Sequence, residues 1–155
     1  MPTLPEEIAE ACAPLFEAVP FEKAMGRLVG SAPQQTEIVK QVLQHPALVN
    51  RPELAAGLWL YVDDLDRSHT VSQGLDGATG AYWHGIMHRR EGDFSNSHYW
   101  MHRAAAHPLR RSHPELDPDA LIDAVAAARG SDKPDLVARQ QEEWKALFEW
   151  CAAQV

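Results

Sequence analysis

Apolar residues recur three or four positions apart through almost the whole chain, and prolines stand at the joints between these runs. This pattern restricts the fold more than any other feature. Each run supplies one buried stripe of a helix, and a proline ring without an N–H stops the helix that meets it. Ile8, Cys12, Leu15, Phe16 and Val19 form the first stripe, ended by Pro20. Thr3-Leu4-Pro5-Glu6 ahead of it fits a capping box, with Thr3 as N-cap and Glu6 at the third helical position. Phe21 to Val29 reads as a second short helix with Ala24, Met25 and Leu28 inward, closed by Gly30. A third runs from Pro33 to about His45, and Pro46 stops it.

Asn50-Arg51-Pro52-Glu53 repeats the start signal and opens what the spacing predicts as the longest, central helix, reaching about Ser72. Leu54, Leu58, Val62, Leu65 and His69 share one of its faces, with Gly57, Tyr61, Asp64 and Ser68 on the neighbouring stripe. The acidic run from Asp63 to Asp66 in the same phase argues against reading Gly57 to Val62 as a strand. The glycine-rich stretch from Gly74 to Gly80 lacks the spacing of a phosphate loop. Two helices follow, from about Ala81 to Arg90 behind a Thr79 cap and from Asn96 to about Ala106 behind a Ser95 cap. Joined by so few residues, they predict an αα-hairpin. Asp117-Pro118 begins another helix, and residues 135 to 152 form the last, with Leu136, Gln140, Trp144, Leu147, Phe148 and Cys151 in phase. The expectation is an all-α protein, a compact multi-helix bundle and one globular domain over residues 1–155.

A chain of 155 residues buries a sizeable core without staples. Its net charge of −8 disfavours wrapping nucleic acid through phosphates. Locally the sign reverses: between Tyr82 and His113 five arginines face only Glu91 and Asp93. This contrast points to a small anionic molecule rather than a polymer. Cys12 and Cys151 have no metal or redox spacing and read as free, buried thiols of a cytoplasmic protein. No run approaches the apolar length of a membrane span. A homodimer is compatible with the aromatic surplus.

The stretch from Tyr82 to Arg103 holds four of the eight histidines, as the pairs His84/His88 and His98/His102. His84, His88 and Glu91 fall on one helical face, and two neutral imidazoles with a carboxylate suit zinc or iron. The spacing is not that of HExxH, because Gly85 follows the first histidine. His69 on the preceding helix is the third candidate ligand. Glu91, Asp64 and Arg90 are the candidate catalytic groups. Arg89, Asn96, His98, Tyr99, His102 and Arg103 are the candidates for holding the anion. Of Tyr82, Trp83, Tyr99 and Trp100, at least two belong to the core and one suits a pocket wall. The plainer alternative is hydrogen-bonded core histidines beside an Arg–Asp/Glu network. No named family attaches to this run, so its chemistry rests on the residues themselves. The leading expectation is a small metal-dependent enzyme, hydrolase or oxidoreductase, acting on a small anionic substrate. Its rival is a non-enzymatic helical module that binds a small anion or a protein partner.

Overall fold

The structure, a computed structural model, describes residues 1–30 and 32–155, and these form helices and turns with no strand among them. Nine α-helices follow in order: α1 (Glu6–Ala18), α2 (Thr36–Val42), α3 (Pro52–Tyr61), α4 (Leu65–Gln73), α5 (Ala78–Glu91), α6 (Phe94–Arg103), α7 (Leu109–Ser112), α8 (Pro118–Ala128) and α9 (Pro134–Ala153). None is long and apolar enough to cross a membrane, among the described residues.

The predicted central helix does not exist as one piece. α3 ends at Tyr61, Asp63 takes a left-handed φ of 64°, and α4 restarts at Leu65. Asp64 caps the restart, its carboxylate accepting from Arg67 N at 3.0 Å. The acidic run that argued for helical phase thus supplies a turn and a cap. α4 then lies back along α3, where Ser68 Oγ donates to the Ala56 carbonyl at 2.9 Å. His69 is consequently carried away from the Leu54/Leu58 face.

Smaller differences concern where the helices begin and how far they run. α1 starts behind Pro5 without a side-chain cap, and Thr3 instead donates its N–H to the Glu149 carboxylate. Phe21–Lys23 makes only one 3-10 turn, and the chain then runs irregularly past Met25 at φ 55°. Ala24, Met25 and Leu28 are buried there nonetheless. α2 starts at Thr36 rather than Pro33. Gly77 and Asp93, not Thr79 and Ser95, precede α5 and α6. The Asp117 cap on α8 is present, its side chain accepting from Ala120 N.

The core is aromatic. Trp144 of α9 stacks on Phe148 at 4.6 Å and lies 4.9 Å from Tyr61, while its Nε1 donates to the Gly57 carbonyl. A Cβ at Gly57 would sit 2.9 Å from both Phe148 and Trp83, so glycine sets how closely α3 meets α5 and α9. Gly85 plays the same part between α5 and α6. A Cβ there would meet the Met101 side chain at 2.9 Å, and Ser97 Oγ donates to the Gly85 carbonyl at 2.6 Å. These contacts fix the face of α5 that carries the histidines. Cys12 and Cys151 are buried free thiols, pushed up to about 12 by desolvation.

His107 is a buried histidine that the periodicity did not single out. It packs edge-on against Tyr82 and Trp150, and its Nδ1 accepts from Leu109 N. Burial, reinforced by Arg110, lowers its pKa to about 4 from 6.5. The unfolded chain takes up this proton below 6.5, whereas the folded chain resists until about 4. Its contribution is therefore complete above pH 6.5 and is lost as pH falls toward 4, at most about 3 kcal/mol. Urea melts at pH 7 and 4.5 check this: His107→Gln should show a shallower acid loss than wild type.

Candidate metal centre

α4 packs on α5, and α5 on α6, so three helices meet around one cluster of imidazoles. His69 comes from α4; His84 and His88 come from α5, one turn apart. One potential ligand nitrogen of each lies within 4.8 Å of the others. The ring centroids are 4.7 Å apart for His69 and His84, 5.4 Å for His69 and His88, and 4.9 Å for His84 and His88. Four-coordinate zinc, with bonds of about 2.0–2.1 Å, spaces its nitrogens by roughly 3.3 Å. A bound ion would therefore have to draw the three nitrogens together from within that 4.8 Å bound.

Desolvation sets the charge of His84. His84 is only 3% exposed and stacks face to face on Trp100 at 3.8 Å. Burial, with the neighbouring His88 and His69, lowers its pKa to about 4. At neutral pH it is an uncharged imidazole with a lone pair available. Among the described residues neither His84 nor His69 has a hydrogen-bond partner for its ring nitrogens. None of these nitrogens is a fully buried atom left without a partner, so they stay open to solvent or to a ligand.

His88 is held differently. Its Nδ1 lies 2.5 Å from Glu91 Oε1, at the exposed end of α5. With Nδ1–H donating to that carboxylate, Nε2 is the nitrogen left for a metal, an arrangement common to metal-bound histidines. Asp93 also comes near His88 and Glu91, but its carboxylate caps α6 by accepting from Asn96 N and Nδ2.

The other candidates fall elsewhere. Asp64 is buried as the α4 cap and is ion-paired to Arg67 at 2.6 Å, which occupies its oxygens. Arg90 points into the core, donating to the Leu60 carbonyl and to Asp63. Arg89 is fully buried, bonded to Glu143 and Gln140 of α9. Both guanidiniums are occupied by protein partners, which leaves neither pointing at the imidazole cluster as an anion clamp. Asn96 is exposed and bonded to Asp93.

His98 does not join the other histidines. Its two ring nitrogens each lie 2.8 Å from a carboxylate of α8, Asp119 and Asp123. The bond to Asp119 leads in raising its pKa, so it clasps α6 to α8 as a cation. His102 and Tyr99 are exposed on the outer side of α6. Arg103 lies over the Trp100 and Tyr99 rings, at 5.3 and 5.8 Å.

The partners of Arg89, Arg90 and His98 all come from distant segments, and the partner of His84 is Trp100. Trp100 reads from the sequence as core or pocket wall, Gln140 as part of a helix stripe and Asp63 as part of an acidic run, none as these partners. Spacing along one helix carries no signal for such pairings.

Comparison with known protein families, with curated proteins and with solved structures finds no match to this chain.

Proposed function

We propose that His69, His84 and His88 bind a divalent transition metal, and that the protein is a small metal-dependent enzyme acting on a small anionic substrate. The observation that carries this reading is the convergence of three potential ligand nitrogens within 4.8 Å. Its chemistry favours zinc. Three histidine ligands match catalytic zinc sites, which keep a fourth position open. Glu91 is engaged with His88 Nδ1, so the two-histidine, one-carboxylate set preferred by oxygen-activating iron is not the one assembled. Held by His69, His84 and His88, such an ion would supply the Lewis-acid chemistry suited to hydrolysis. His84 contributes an imidazole kept neutral by burial, and Trp100 holds its ring plane. Glu91 orients His88 and fixes its tautomer.

Cobalt(II) titration followed by visible absorption tests the site and its coordination together. Intense d–d bands at one equivalent are expected, as four-coordination gives; weak six-coordinate bands or no saturation would contradict the reading. Glu91→Ala should weaken metal binding about 10- to 100-fold while leaving the fold intact. Glu91→Gln, which keeps an acceptor oxygen, should lose less. Equal affinity in all three proteins would remove Glu91 from the site.

A further inference from the structure

A cavity of about 430 Å³ is lined by residues of α4, α5 and α6 with the turns next to them. Its walls include Ser72, Leu75, Asp76, Ala81, Trp100 and Arg103. Ser72 follows His69 by one helical turn, and Ala81 precedes His84 by one. Trp100 contributes to this wall and also carries His84 on its ring. The cavity and His84 are therefore neighbours across the Trp100 side chain.

The cavity's charged side chains are Arg103 and Asp76. Arg27, Arg51, Arg67, Arg89, Arg90 and Arg110 are each ion-paired to an acidic side chain. Arg103, like Arg111, Arg129 and Arg139, has no such partner among the described residues, and its only hydrogen bond is a 3.4 Å contact to the Tyr99 hydroxyl. Its guanidinium lies over Trp100, so its position is guided while its donors stay available. Asp76 lines the same cavity and is not paired with Arg103. A second negative charge on a ligand would meet that carboxylate, which disfavours a phosphate dianion and suits a single negative charge. Leu75, Ala81 and the Trp100 ring offer apolar wall to the rest of the molecule.

We infer that this cavity binds a small monocarboxylate with an apolar body, its carboxylate on Arg103 and its body against Trp100. The assignment rests on the metal-centre reading only in making this ligand the substrate; binding itself needs no metal.

Titration of the full chain with benzoate, followed by amide and arginine Nε–H NMR shifts, tests it, first without metal and then with zinc. Saturable shifts at Ser72, Asp76, Ala78 and Arg103 are expected without metal. Arg103→Gln should weaken benzoate at least about tenfold, the worth of a charge-assisted hydrogen bond. Ala78→Leu, at the cavity edge, should weaken it independently. Benzyl alcohol, of the same shape without the charge, and inorganic phosphate should both bind more weakly. Undiminished benzoate binding by Arg103→Gln, shifts confined to another face, or tighter binding of phosphate or the alcohol would overturn the proposal. Benzoate binding in a protein that never takes up zinc would leave the cavity standing and remove the metal centre. Zinc uptake without benzoate binding would do the reverse.

Discussion

Arg89→Ala is expected to cost about 3–5 kcal/mol of stability, a large part of what a domain of this size possesses. The reason is the position of its partner. Arg89 and Glu143 are both fully buried, 2.7 Å apart, and join α5 to α9. Removing the guanidinium leaves the Glu143 carboxylate uncompensated in the core. It also takes a donor from Gln140, whose amide meanwhile holds the Met25 and Arg27 carbonyls. The pair is not an optimum, however. Arg89 Nε and Glu143 Oε2 are buried without partners, so part of the desolvation cost is never recovered. Arg89→Met combined with Glu143→Leu should therefore be close to wild type or more stable. Urea denaturation of the two single variants and the double variant checks both statements. A mild Arg89→Ala, or a double variant worse than either single, would contradict this account of the pair.

Zinc should raise stability by roughly 4 kcal/mol when free metal exceeds the dissociation constant a thousandfold. The folded chain assembles three imidazoles from two helices, whereas the unfolded chain presents them separately. Removing any one of them should abolish most of this increment, because the remaining two histidines form a much weaker site. The three substitutions differ in their cost without metal. His84→Ala opens space against Trp100 and should destabilise the apo-protein, while half-buried His69 should be replaced at little cost. Thermal melts with and without zinc separate the two effects. Equal zinc shifts in wild type and His69→Ala would exclude α4 from the site.

The helical character of the chain was legible because periodicity reports which stripe is buried, and that survives errors at the ends. The break between α3 and α4 was not. Asp63 and Asp64 fit a helix surface by spacing alone; only the left-handed backbone at Asp63 and the capping bond of Asp64 make them a turn. His69 nevertheless meets His84 and His88, through the fold-back of α4 rather than along the expected continuous face. The arginines were harder. Arg89 and Arg90 sit in an electropositive run that reads as an anion clamp, yet the partners that bury them lie 54 and 27 residues away. Arg103 has the same sequence signal and the opposite fate, because no acidic side chain pairs with it. Long-range pairing decided which positive charges remained available.

The most direct test is elemental analysis of untagged protein beside a His84→Ala, His88→Ala double variant. Near-stoichiometric zinc in the wild type, absent from a variant that keeps its helical circular dichroism, is the predicted result. Wild-type protein without zinc, iron or manganese, even after anaerobic reconstitution with each, would contradict the metal centre and leave the three histidines as a packed imidazole cluster.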